Sequence, residues 1–317
     1  MSIRRWLPLL ACLLVLVILG IAPAAVSPFV LQFLINLFML AALAESWNII
    51  GGFTGYASFG NVAFFGIGAY TTGLLLTRVG APYAIALAAG GILAMLFAAV
   101  AGLPILRLRG HYFAIATLGV AEAMREVVYN VEFTGAGTGL VMPILRSPLP
   151  FYYSMLAILT AVTLLNWWLS KSRFGYGLIA IREDEDAAAV MGINTPLYKM
   201  IAFALSGLFA GLAGGVYAYW ITFIDPDAVF KVIITVQMII MAVFGGAGTV
   251  LGPLLGALVM ASVSEWLSTH LVTLAELFYG LIVILVVIFM PKGLSDLIRQ
   301  RRLSLGYFAK NLREHRI

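Results

Sequence analysis

"YAIALAAGGILAMLFAAVAGLPI" (residues 83–105) runs for 23 residues without a single charged side chain. At about 1.5 Å per residue, a helix of that length crosses the ~30 Å hydrocarbon core of a bilayer. Similar apolar runs lie on both sides of it, each bounded by Gly, Pro or charge. The pattern predicts about ten spans, at 7–26, 29–49, 57–77, 83–105, 111–129, 151–169, 200–221, 232–247, 250–268 and 272–290. The eighth is the shortest: its apolar stretch from Val232 to Phe244 stops at Gly245-Gly246, so a re-entrant segment is an alternative there. Composition agrees, since 62% of the 317 residues are hydrophobic and 10% charged, and mean hydropathy is +1.04. A soluble domain is nearer half apolar and a quarter charged. A transmembrane barrel needs short alternating segments, which are absent. The fold class expected is an all-α polytopic membrane protein forming one domain over residues 1–317.

The charges set the direction. With the N-terminus inside and the spans alternating, the cytoplasmic segments hold Arg4, Arg5, Arg107, Arg109, Lys171, Arg173, Arg182, Lys199 and the seven basic residues from Lys292 onward. That makes fifteen of the 19 Lys and Arg residues. The outer segments hold only Arg78, Arg146 and Lys231, and Arg125 falls within a span. Such a bias places both termini, and the basic tail 291–317, in the cytoplasm. It also accounts for the net charge of +5, so no nucleic-acid partner is needed to explain it. Arg4-Arg5, an apolar stretch and Ala22-Pro23-Ala24-Ala25 are read as an uncleaved first span rather than a signal peptide, because another span follows at once. The single cysteine, Cys12, excludes an intrachain disulfide and points to no metal site.

One segment breaks the apolar pattern. "IREDEDAAAVMGIN" (181–194) carries Arg182, Glu183, Asp184, Glu185 and Asp186 in a row, inside the largest internal cytoplasmic stretch, 171–199. The acids precede Ala187-Ala188-Ala189-Val190-Met191, a short helical run whose start they suit electrostatically. Gly192 is placed to close that helix in a left-handed turn, and Asn194 or Thr195 to cap the next, with Pro196 in its first turn. A solvated connector needs only polarity. A defined helix with a small-residue face and a stop suits a docking knob for a cytoplasmic partner.

These residues resemble a known family. Asp186-Ala187-Ala188, three residues and Gly192 are similar to the "EAA…G" coupling loop of ABC-importer permeases, with Asp for Glu. "GYGLIAIREDEDAA" (175–188) resembles the form that loop takes in branched-chain amino acid permeases of the LivM-like branch. "GYASFGNVAFFGIGAYTTGLL" (55–75), "LRLRGHYFAIATLGVAE" (106–122), "FALSGLFAGLAGGVYA" (203–218) and "VFGGAGTVLGPLLGA" (243–257) extend the resemblance from about residue 30 to residue 295. The resemblance implies an inner-membrane permease subunit forming part of a translocation path. Its implied partners are two ABC ATPase subunits, a second permease of the LivH-like kind and an extracytoplasmic binding protein. Branched-chain amino acids are the implied cargo, with urea or short amides as the variant. The coupling loop implied comprises Arg182, Glu183, Asp184, Asp186, Ala187, Ala188 and Gly192.

The remaining motifs fit transport better than catalysis. No phosphate-binding G-x-x-x-x-G-K-[ST] occurs, so an energy source must come from another polypeptide or an ion gradient. There is no H-E-x-x-H and no nucleophile elbow, and His111, His270 and His315 are scattered; no enzymatic activity and no cofactor are expected. Gly207, Gly211 and Gly215, and likewise Gly248, Gly252 and Gly256, recur every fourth residue, the spacing of close helix packing. Gly51, Gly52 and Gly55, with Ser58 and Asn61, suggest non-helical backbone near membrane depth. Gly55, Ser58 and Asn61 are therefore candidates for the path, although Asn61 equally suits a bond to a neighbouring helix. Glu122, Arg125 and Glu126 are spaced for an ion cluster near the outer end of the fifth span. A secondary transporter would need carboxylates facing a mid-membrane cavity, and the acids here sit mostly near span ends. The glycines of "VEFTGAGTGL" (131–140) fit either an ordinary turn or an outer contact for the binding protein.

Overall fold

The computed structural model describes residues 17–270 and Gly280. Half of the first expected span, all of the last except Gly280, and the basic tail lie outside the described residues. The rest is almost entirely helical. Ser27 caps α1 (Pro28–Trp47) by accepting from Val30 N–H, and α1 runs on through a wide turn, Asn48–Gly52. After a non-helical passage over 55–60 come α2 (Asn61–Leu74) and α3 (Tyr83–Ile105), then α4 (His111–Asn130) and α5 (Leu149–Leu169). Two short helices follow, α6 (Arg173–Glu183) and α7 (Glu185–Val190). The 27-residue α8 (Thr195–Ile221) precedes α9 (Pro226–Val229), α10 (Val232–Gly245) and α11 (Gly252–His270).

Six stretches are long and apolar enough to cross a membrane: Pro28–Gly52, Asn61–Val79, Tyr83–Ile105, Leu149–Leu169, Thr195–Ile221 and Pro226–Gly245. The segments expected as spans at 111–129 and 250–268 are helical, as α4 and α11, but are not among those six. The α4 helix carries Glu122, Arg125 and Glu126. The short eighth span gains length from α9, which brings Pro226–Gly245 to 20 residues. Gly51 and Gly52, expected in non-helical backbone, instead belong to the wide turn that prolongs α1. The helix break starts only at Gly55, whose φ is +74°.

The centre is the packing of α2, α3 and α8. Gly207 and Gly211 of α8 face Ala98 and Ala94 of α3, and Gly215 faces Thr72 of α2 and Leu87 of α3. A Cβ on Gly207 would come within 2.7 Å of the Ala98 methyl. Gly68 of α2 lies against the backbone of Gly211. This is the close approach that small side chains permit. The second glycine row divides. Gly252 and Gly256 bring α11 onto the backbone of α10, but Gly248 lies outside any helix with φ +79° and performs a different task.

Connections gather at two opposite ends. At one end the turn after α1, the α3–α4 connection, α6–α7 and the α10–α11 turn meet through bonds described below. At the other, Leu140–Val141 and Phe223–Ile224 form a two-stranded antiparallel ribbon. The glycine segment 131–140 is thus an ordered turn whose end pairs with the residues that follow α8. Arg125 bonds Glu122 and Glu126 as expected, and also Asp227 of α9 at 2.6 Å.

Candidate functional site

The charged segment folds as two helices with one sharp break. Ser172 caps α6 by accepting from Gly175 N–H at 3.0 Å. At Asp184 the backbone is extended (φ −161°, ψ 112°), and the Asp184 carboxylate accepts from the N–H groups of Asp186 and Ala187 at 2.9 Å each, starting α7. Gly192 follows α7 with φ +86°. Asn194 caps α8 by accepting from Leu197 N–H at 3.3 Å, with Pro196 in the first turn. The acid-headed helix, the left-handed stop and the Asn cap all stand where the sequence places them. The helix α6 was not anticipated: its apolar spacing is broken by Gly175 and Gly177, which fit against the Leu169 backbone and the Tyr198 ring.

Two sets of side chains bind this segment to the bundle. Arg182, at the end of α6, donates to the Gly52 carbonyl at 3.2 Å. Its stem crosses Gly55, and its guanidinium lies over Gly248. Asn48 closes the same region, its amide donating to the Thr249 carbonyl at 2.9 Å and its carbonyl accepting from Gly248 N–H at 2.7 Å. Gly55 and Gly248 therefore seat Arg182.

The second set centres on Glu185. The Lys199 ammonium, 2% exposed as a residue, donates to the Glu185 carboxylate at 2.6 Å, the Leu106 carbonyl at 2.9 Å and the Tyr56 hydroxyl at 3.0 Å. Tyr56 donates to the other carboxylate oxygen, and its ring lies 4.6 Å beneath the ammonium. Thr195 donates to Glu185 at 3.3 Å. Arg109 approaches Glu185 at 3.7 Å and grips Asp186 through two bonds of 2.9 and 2.8 Å. Burial pushes the Glu185 carboxyl up, but hydrogen bonds from Lys199 and Tyr56, with the charges of Lys199 and Arg109, outweigh it and hold the group below its ordinary value. Beside this cluster a cleft of about 580 Å³ opens between α3 and α8, lined in part by Leu106, Arg107, Arg109, Glu185, Pro196 and Lys199.

Among the residues expected in the coupling loop, Arg182, Glu183, Asp184 and Asp186 are brought together here, with Glu183 paired to Arg182 at 2.9 Å. Ala187 is exposed, whereas Ala188 is 4% exposed and belongs to the main core. The expected small docking face is therefore turned inward at Ala188. The outward tip is Val190 and Met191, 87% and 82% exposed. The path candidates do not converge. Ser58 and Asn61 are fully buried, and Asn61 donates to Ser206 of α8 at 2.7 Å, the helix-bonding alternative. Gly55 is exposed beside Arg182. Tyr56, Arg109, Glu185 and Lys199 are not among the expected site residues. Glu185 stands in the sequence only as one of the acids heading α7, and Lys199 only near the start of a long apolar helix.

The chain's relatives agree with the residues that carry the resemblance. The sequence profile of the family described as branched-chain amino acid transport system / permease component matches residues 28–290. The high-affinity branched-chain amino acid transport system permease protein LivM of Escherichia coli (strain K12) is 28% identical over 82% of this chain and 68% of its own. The LivM of Salmonella typhimurium matches at the same identity and coverage. The autoinducer 2 import system permease protein LsrC of Yersinia pestis is 27% identical over 63% of this chain and 59% of its own. No solved structure gives a significant match. These relatives are transport permeases rather than enzymes.

Proposed function

This chain belongs to the branched-chain amino acid transport permease family, a multi-pass ABC-importer permease of the cytoplasmic membrane, and on that footing we propose that it imports branched-chain amino acids. In this reading α6–α7 lies on the cytoplasmic side, as the bias of basic residues indicates. ATPase subunits dock on the Val190–Met191 tip, a binding protein delivers cargo at the opposite end, and a LivH-like permease completes the path. The observation that carries it is the capped helix α7, at whose end two large apolar side chains, Val190 and Met191, are left uncovered by the rest of the chain. In this reading the ATPase subunits cover that apolar tip. The identities to LivM and to LsrC are alike, 28% and 27%, so autoinducer 2 is the second cargo to test.

The test is reconstitution in proteoliposomes with the cognate ATPases, second permease and binding protein. The expected result is ATP-dependent uptake of labelled leucine, isoleucine or valine. Uptake of autoinducer 2 without leucine overturns the cargo, and uptake independent of ATP overturns the mechanism. Val190→Asp with Met191→Asp should leave membrane levels unchanged and release the ATPase subunits. Retention of the ATPases overturns the docking site.

A further inference from the structure

The helix α7 is six residues long and contributes a single buried side chain, Ala188, to the core. Its chain link to α8 is Met191–Asn194, a turn containing left-handed Gly192. The link bonds back to α7, with Ile193 N–H donating to the Ala188 carbonyl at 3.1 Å, and meets α8 at the Asn194 cap. The polar bonds are what remain. Arg182–Glu183 lies within α6, and the two-bond Arg109–Asp186 contact is solvent-exposed, so salt and water screen it. Lys199 differs: its ammonium has three N–H donors, and all three find acceptors, on α7, on the end of α3 and on Tyr56 in the non-helical passage before α2. Glu185 is equally committed, receiving Lys199, Thr195 and Tyr56. Moving α7 away from α8 strands a buried charge, which is strongly unfavourable.

We propose that the buried Glu185–Lys199 pair is the joint that passes displacement of α7 into the spanning helix α8, with Tyr56 and the Leu106 carbonyl fixing its inner side. The pair positions; it touches no cargo. The inference rests on the reading of α6–α7 as the ATPase contact, and it assigns transmission to Glu185, which the expected coupling-loop set omits, and to Lys199 in α8.

The experiment measures cargo imported per ATP hydrolysed by the reconstituted complex. Glu185→Gln and Lys199→Met singly each strand a charge and should lower membrane levels. The double variant Glu185→Gln/Lys199→Met buries no charge, so accumulation should recover. With the ATPases still bound through the Val190–Met191 tip, hydrolysis should continue, but cargo per ATP should fall about tenfold, a common size for coupling between sites. A purely structural pair predicts that accumulation and cargo per ATP recover together, and that result overturns the joint. Loss of the ATPases from the double variant also overturns it, because the pair would then build the knob rather than transmit from it. If the double variant fails to accumulate, Glu185→Asp decides: it keeps the charge and shortens the reach by one methylene. Its cargo per ATP should fall severalfold, and an unchanged ratio overturns the joint. Ser262→Ala, at an exposed position of α11, should match wild type throughout. A wild-type complex without ATP-driven uptake would instead bring down the functional reading beneath.

Discussion

At the residue scale, two left-handed glycines look alike in sequence and differ in context. Gly192 has φ +86° and a Cβ there would meet nothing within 4 Å. Gly192→Ala should therefore cost only the left-handed backbone penalty, about 1–2 kcal/mol. Gly248 has φ +79°, and a Cβ there would lie 2.6 Å from the Arg182 guanidinium and 2.9 Å from the Gly52 carbonyl. Gly248→Ala adds displacement of Arg182 to the same penalty. The thermal midpoint of the purified protein should fall further for Gly248→Ala than for Gly192→Ala; equal shifts would show that Arg182 has no seat there. Ala188 teaches a related lesson. From sequence it belongs to a small outer face, yet six residues give less than two helical turns, too few for periodicity to say which side is covered.

At the element scale, the contact of α8 with α2 and α3 rests on missing side chains. Gly207 and Gly211 leave no room for a Cβ between α8 and α3, and Gly68 brings the α2 backbone onto Gly211. Apolar helices in lipid gain little from excluding water, so close packing must hold them. Gly211→Val should force α8 off α3 and sharply lower accumulation in the membrane. Gly119→Val is the matched control: its Cβ meets nothing within 4 Å, so a tagged copy should accumulate normally. Equal accumulation of the two variants would deny the packing role. The four-residue glycine spacing made this contact legible for Gly207, Gly211 and Gly215. It misled for Gly248, because a repeat read through a helix break no longer describes one face. Gly68, the partner of that contact, carried no comparable row.

At the scale of the whole molecule, the two ends are distinguished by charge and by construction. One has the ion-pair cluster of Arg109, Glu185, Asp186 and Lys199; the other has the Leu140–Val141 and Phe223–Ile224 ribbon with Arg125–Asp227 beside it. If the basic end is cytoplasmic, Thr138→Cys in a Cys12→Ala background should react with an impermeant maleimide in intact cells. Met191→Cys in the same background should react only after the cells are opened. The reverse pattern would invert the topology.

What the sequence determined by itself was the class of solvent around the chain, the positions of most spans, and the short capped helix standing after the acids. Those properties are local or additive: run length, charge count, a cap residue and a glycine stop each act within a few positions of where they are written. The tertiary structure alone decided which of five adjacent charged residues matters inside. Glu185 meets Lys199 fourteen positions away, Tyr56 at 129 and Arg109 at 76, separations that leave no periodic trace. It also decided that Asn61 bonds Ser206 and that Gly55 seats Arg182. In each case the partner comes from another element, and only the packing of α2, α3 and α8 brings those elements together. A buried charge is defined by what surrounds it in space, and the neighbours that surround Glu185 are supplied by the fold.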